Sequence, residues 1–264
     1  MPFVEVSNTR FNYRLDGPEQ GTVIMFSNSL AGDLNMWEFQ VPVFVRAGYR
    51  VLRYDSRGHG QSAVTKGPYS MELLAADAVA LMDVLGLGKI HFCGLSMGGM
   101  VGQMLGTLYG DRLVSLTLSS TAAHMAPKET WNERIEFIRK HGMAAVADAT
   151  IDRWFTKPGQ IHLSASVEKV RRAVLNTPVE GYCACCAAIR DMDQRETIRA
   201  VSTRTLVIVG EKDSGTPISA AELIHGKIPS SALKIIPDAA HFVQMEQSSI
   251  FNNALLEFIN PDNA

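Results

Sequence analysis

The stretch Lys89–Gly102 constrains this chain more than any other. A short apolar run with the look of a buried strand ends at Gly94, Ser96 follows, and a small-residue segment from Met97 continues as a helix. Gly94-x-Ser96-x-Gly98 between a strand and a helix is a nucleophile elbow, a turn that presents a reactive serine. The turn is tight and strained, and side chains at Gly94 and Gly98 would collide with neighbouring backbone. In exchange Ser96 Oγ stands at a helix N-terminus, where free backbone N–H groups can hold developing negative charge. Such a device requires an acid, a histidine and a second oxyanion donor from elsewhere in the chain.

The surrounding pattern is an alternation of strands and helices. Phe3–Val6 and Phe11–Leu15 read as a hairpin turning at Ser7–Arg10. Thr22–Phe26 is a continuous apolar run, as expected of a strand covered on both faces, and it runs into the small polar loop Ser27–Gly32. A helix is expected from Leu34 to Ala47, stopped by Gly48, then a strand over Tyr49–Tyr54 that delivers the glycine-punctuated loop Asp55–Ser62. Ser70 is placed to cap a helix with Met71, Leu74, Ala78, Leu81, Met82 and Leu85 on one face. After the elbow helix, Leu113–Leu118 forms a strand, and from about Thr121 to Arg199 the strand pattern lapses into helical sequence. Strands resume at Thr205–Val209 and Ala232–Ile236, with a helix at Ile218–Ile228 and a closing helix after His241 that runs to about Phe258. This is an α/β chain with a mostly parallel twisted sheet and helices on both faces. Residues 1–120 and 200–264 make the core and 121–199 a helical cap.

Hydrophobic content of 46% is ample for a core of this size, and a net charge of −2 gives no electrostatic case for nucleic acid or an anionic membrane. The N-terminal residues have neither the basic nor the apolar region of a signal peptide, and no apolar run approaches a membrane span, so a cytoplasmic protein is expected. Cys183, Cys185 and Cys186 crowd together without zinc-like spacing and read as packing within the cap; with Cys93 they read as reduced thiols. Neither metal nor cofactor is expected, because acyl transfer from serine needs none.

In a fold with this elbow, the acid and the histidine follow the serine in that order. They should stand at the carboxyl ends of the later strands, where loops form the crevice. Asp213 follows Thr205–Val209, with Glu211 its competitor; His241 follows Ala232–Ile236 and precedes the last helix. His59 is the rival among the seven histidines, but it lies upstream of Ser96, in a loop where it and Arg57 read as structural. The expected roles follow. His241 takes the Ser96 proton as base and returns it to the leaving oxygen, while Asp213 orients the imidazole and stabilises its charged form. The Met97 N–H is one expected oxyanion donor; the Leu30 N–H, from the loop after Thr22–Phe26, is the other.

These motifs, together with Asp55-x-Arg57-Gly58-His59-Gly60-x-Ser62, Gly210-x-x-Asp213 and Ala240-His241, resemble the α/β-hydrolase superfamily. A closer resemblance covers nearly the whole chain. Ser27–Leu30, Asp33-Leu34-x-Met36-Trp37, Leu52–Asp55, Lys66–Tyr69, Phe92–Gly99 and Arg153-Trp154-Phe155 are similar to 3-oxoadipate enol-lactonases, which act in the breakdown of aromatic compounds. Asn28-Ser29 stands where most superfamily members carry His-Gly, a change the enol-lactonases tolerate.

The resemblance implies a cofactor-free cytoplasmic enzyme acting on a small five-membered enol-lactone with a carboxymethyl group. It also places Arg134 as a cation for the substrate carboxylate and Trp154 as a site-lining aromatic of the cap; Trp131 is a further candidate for the lining. Arg139 and Arg153 are the alternative cations. A carboxylesterase or a C–C bond hydrolase of ring-cleavage products would use the same triad, and a small-molecule receptor of this fold can also retain it.

Overall fold

The structure, a computed structural model, describes residues 2–229 and 231–260. Its eight strands are β1 (Phe3–Val6), β2 (Thr9–Asp16), β3 (Val23–Ser27), β4 (Arg50–Tyr54), β5 (Ile90–Leu95), β6 (Leu113–Ser119), β7 (Thr205–Gly210) and β8 (Ser231–Ile236). They form one sheet in the order β1-β2-β4-β3-β5-β6-β7-β8. The β1–β2 hairpin is antiparallel and pairs antiparallel with β4; every other pairing is parallel. The hairpin turns through Ser7 and Asn8, both at positive φ, which pairs Val6 with Thr9. Strands β3, β5 and β7 are buried along their whole length, as their unbroken apolar sequences require when helices cover both faces.

Outside the β6–β7 connection the α-helices are α1 (Val41–Arg46), α2 (Met71–Val84) and α3 (Met97–Leu108), with three more after β7 given below. Ser70 caps α2, its Oγ accepting the Leu73 N–H at 3.2 Å, and Met71, Leu74, Ala78, Leu81 and Met82 are buried as their spacing predicts. The helix expected over Leu34–Ala47 is instead two pieces, a 3₁₀ turn at Leu34–Trp37 and α1. Pro42 sits in the first turn of α1 and has no N–H to carry the α-helical hydrogen bond back to Glu38, and the first piece is drawn elsewhere by tertiary partners. Trp37 stacks on Phe26 at 4.6 Å and its Nε1–H donates to Asn28 Oδ1, while the Leu34 N–H donates to Asp55 Oδ1.

Between the adjacent strands β6 and β7 the chain leaves the sheet to form α4 (Lys128–His141), α5 (Ala147–Trp154), α6 (Lys157–His162), α7 (Ser164–Asn176) and α8 (Val179–Asp191). The stem of this insertion is pinned by the Gln194 N–H, which donates to the Ala123 carbonyl at 2.8 Å. Beyond it lie α9 (Ile218–Lys227), α10 (Val243–Glu246) and α11 (Ser248–Ile259). The expected closing helix is thus broken at Gln247, which leaves helical geometry at φ −123° and ψ 49°. Among the described residues no helix is long and apolar enough to cross a membrane.

Candidate active site

Ser96 sits between β5 and α3 at φ 59°, ψ −114°, a backbone conformation costly for a residue with a side chain. The surroundings hold it there. Its N–H donates to the Ser119 carbonyl at 2.9 Å, and its own carbonyl accepts the Thr121 Oγ1–H at 2.8 Å. A Cβ on Gly94 would stand 2.1 Å from the Gly98 carbonyl oxygen, and one on Gly98 would stand 2.3 Å from that of Ser27. Only glycine at both positions lets the turn close against β3. That closure is recorded by the Gly98 N–H, which donates to the Asn28 carbonyl at 2.9 Å.

At the far carboxyl ends, Asp213 follows β7 and His241 follows β8. The His241 Nδ1–H donates to Asp213 Oδ2 at 2.8 Å, the tautomer in which a neutral ring keeps the Nε2 lone pair. Asp213 Oδ1 accepts the N–H groups of Gly215 and Thr216, and Oδ2 also accepts the Thr216 Oγ1–H at 2.7 Å. Burial works to raise the Asp213 pKa, but the adjacent imidazole and the Thr216 donors overcome it and hold the carboxyl below its ordinary value. Glu211, the competing acid, is exposed and accepts the Asp238 N–H instead. His59 is fully buried elsewhere, beside the Arg57 carbonyl and Cys185 Sγ, and burial lowers its pKa to about 4.

Ser96 and His241 line one cavity of about 250 Å³, together with Leu30, Trp131, Arg134 and Trp154. Asp213 lies behind the imidazole with its side chain fully covered, and Met97 is buried behind Ser96. Ser96 Oγ and the imidazole share this wall without a hydrogen bond between them among the described residues. The Met97 N–H, at the first position of α3, and the Leu30 N–H likewise donate to no other protein group among those residues.

The insertion supplies the rest of the wall. Arg134 is half-buried; its Nε–H donates to Tyr182 Oη at 2.7 Å, and its guanidinium lies over the Trp131 and Tyr182 rings. Arg153 is exposed over part of its length but reaches the same cavity, where desolvation and then the charge of Arg134 lower its pKa. Neither guanidinium has a carboxylate partner among the described residues. Arg139, by contrast, lines a separate surface groove with Glu180 and Arg190. Trp154 stacks on the His241 ring at 6.2 Å and on Phe242 at 4.4 Å. The three clustered cysteines are buried in α8, as their apolar setting predicts.

Thr216 and Tyr182 did not stand out in the sequence. Thr216 carries a usable signal, a hydroxyl three residues after an aspartate at a strand end, where such side chains fold back onto one another. Tyr182 carries none, because its place beside Arg134 depends on how α4 meets α8. A serine at a helix start, and an imidazole with a free Nε2 braced by a carboxylate, are the parts of acyl transfer.

The model of the α/β hydrolase fold matches residues 22–141. The chain is 35% identical to 3-oxoadipate enol-lactonase 2 of Acinetobacter baylyi over 92% of its own length and 91% of that protein. The crystal structure of the enol-lactonase from Burkholderia xenovorans LB400 superposes with a TM-score of 0.95 at 35% identity, covering 98% of this chain and 99% of that one. A thermophilic esterase from Thermogutta terrifontis, solved with malate bound, follows at a TM-score of 0.92 and 29% identity over 99% of both chains. With its elbow, sheet order and whole-length relatives in agreement, this chain belongs to the α/β-hydrolase family and is similar throughout to the 3-oxoadipate enol-lactonases.

Proposed function

We propose that the protein is a cytoplasmic serine hydrolase that opens a small carboxylate-bearing lactone in aromatic-compound breakdown, with 3-oxoadipate enol-lactone as its substrate. The observation that carries this reading is the pair Arg134 and Arg153, two guanidiniums without carboxylate partners on the cavity that holds Ser96 and His241. Two like charges sharing one wall repel each other, and an anionic substrate relieves that repulsion. The guanidinium fork is suited to a carboxylate. The volume of about 250 Å³ falls below the roughly 300–1,000 Å³ of sites for drug-sized ligands, in keeping with a small ring.

In this reading Ser96 Oγ attacks the lactone carbonyl carbon while His241 Nε2 takes the hydroxyl proton. The oxyanion is held by the Met97 and Leu30 N–H groups. Collapse breaks the ring C–O bond, and the imidazolium returns its proton to the departing enol oxygen, which becomes a ketone on tautomerisation. The opened chain stays on Ser96 as an ester. Water then attacks that ester with His241 again as base, releasing the dicarboxylic 3-oxo acid and restoring the serine. The insertion serves as a cap over residues 121–199, with Trp131 and Trp154 shaping the ring site and excluding water.

The test is steady-state kinetics on freshly generated 3-oxoadipate enol-lactone beside a neutral aryl ester. Sustained turnover with strong preference for the anionic lactone is expected. A preference for the neutral ester would make the protein a general carboxylesterase, and a single slow turnover would make it a receptor. Arg134→Ala should raise KM for the anionic substrate, lowering kcat/KM by about 10- to 150-fold, the equivalent of ~1.5–3 kcal/mol for a charge-assisted hydrogen bond. The neutral ester should hardly respond.

A further inference from the structure

The loop that carries His241 is held from the insertion as well as from the sheet, and one carboxylate makes most of that connection. Glu246, at the end of α10, folds back across the loop. Its Oε2 accepts the Ala240 N–H at 2.7 Å, one residue before the histidine. Its Oε1 accepts both the N–H of Thr156, at 2.9 Å, and its Oγ1–H, at 2.6 Å, in the turn between α5 and α6. Thr156 is itself fixed, because its Oγ1 caps α6 by accepting the Gly159 N–H at 3.1 Å. Position 159 is glycine where a Cβ would stand 2.0 Å from Glu246 Oε1. On the other side of the histidine, the Phe242 N–H donates to the Trp154 carbonyl at 2.9 Å.

The backbone on both sides of His241 is therefore tied to residues 154–156, whose Trp154 ring also lies over the imidazole and lines the cavity.

We propose that Glu246 is a positioning residue for His241, a carboxylate that locks the histidine loop to the α5–α6 corner of the insertion so that the base and the cavity wall keep one mutual geometry. The proposal rests on His241 acting as the base. All three groups that meet Glu246 are donors, so an amide in its place must turn its NH₂ towards at least one of them. A misplaced imidazole slows proton transfer for every substrate, whereas loss of an anion contact affects only anionic ones.

The test is kcat and KM of Glu246→Gln and Glu246→Ala on the carboxylate-bearing lactone and on a neutral aryl ester. These are read with the far-downfield proton resonance of the His241 Nδ1–H. The expected result is a fall in kcat of about 10²-fold in Glu246→Ala, the scale of a 1 Å misplacement, equal on both substrates, with KM little changed. Glu246→Gln should lose less, and the downfield resonance should shift or broaden in both. Thr156→Val removes one donor while preserving shape; it should lower kcat in the same sense by less, and it stands in if the Glu246 variants do not fold. Folded variants with unchanged kcat and an unchanged resonance overturn the proposal, as does a lowered melting temperature with kcat intact. His241→Ala and Ser96→Ala run alongside. If they retain activity, the triad reading itself fails; if they lose it while Glu246 and Thr156 variants do not, only the positioning role is lost.

Discussion

Ser96 is kept at positive φ by glycines that no larger residue can replace, and in the proposed mechanism it relies on a histidine more than a hundred residues away. Under the proposed mechanism Ser96→Ala should lower kcat by about 10⁴–10⁶, because a triad acts as a unit and its loss leaves only binding and oxyanion stabilisation. Asp213→Asn should fold, yet lose on the order of 10⁴ in kcat, because the amide no longer holds the imidazole in the tautomer that frees Nε2. Burst and steady-state assays on one ester check both. Glu211→Gln, altering an exposed side chain that accepts only the Asp238 N–H, should leave kcat unchanged; a collapse there would reassign the acid. Ser96, Asp213 and His241 were legible as candidates because each follows a strand whose apolar run is plain in the sequence. Arg153 reads only as an alternative cation, because nothing in its local sequence says which cavity it meets, whereas Thr216 has a local cue in its spacing from Asp213.

At the scale of elements, α8 is seated on the loop after β4 backbone to backbone. A Cβ on Gly181 would stand 2.1 Å from the Gly58 carbonyl oxygen, and one on Gly58 would stand 2.6 Å from the Gly181 Cα. Tyr182, next in α8, carries the hydroxyl that receives Arg134. Gly181→Ala should therefore destabilise the protein by about 1–3 kcal/mol, the usual range for overpacking, and should raise KM for the anionic lactone by displacing the Arg134–Tyr182 pair. Gly226→Ala is the control. That glycine is exposed in α9 with nothing within 4 Å of an added Cβ, so the change should stabilise by about 0.5–1 kcal/mol. Urea denaturation of the two variants measures both. Equal effects would mean that the close seating of α8 carries no energetic weight. Helix α2 was readable to its cap, since Ser70 and the apolar spacing are local signals. The break before α1 was not, because the pull of Phe26, Asn28 and Asp55 on residues 34–37 comes from other elements.

For the whole molecule, two buried imidazoles set a pH dependence of stability. Burial lowers the pKa of His59 to about 4, and burial followed by the charge of Arg204 does the same for His91. An unfolded imidazole takes up its proton near pH 6.5. Below that value the unfolded chain binds protons that the native chain refuses, so stability present above pH 6.5 is lost as pH falls towards 4. By pH 5 the loss should reach about 2 kcal/mol for each histidine. Urea denaturation across pH 7.5 to 5 tests this, and a flat profile would show that neither imidazole is held neutral.

Local order along the chain determined the strand runs, the elbow, the capped helix and the places of Asp213 and His241 as candidates at strand ends after the serine. These are one-dimensional signals, set by side-chain period, by glycine where a Cβ cannot fit, and by the places where strands end. Only the tertiary structure decided that α4, α5 and α8 bring Arg134, Arg153 and Tyr182 onto the cavity of Ser96, and that Glu246 joins Thr156 to Ala240. Those meetings span tens of residues and depend on helix packing angles, which a hydrophobic pattern does not encode. A wall residue and a surface residue of the same type look alike until the packing places them.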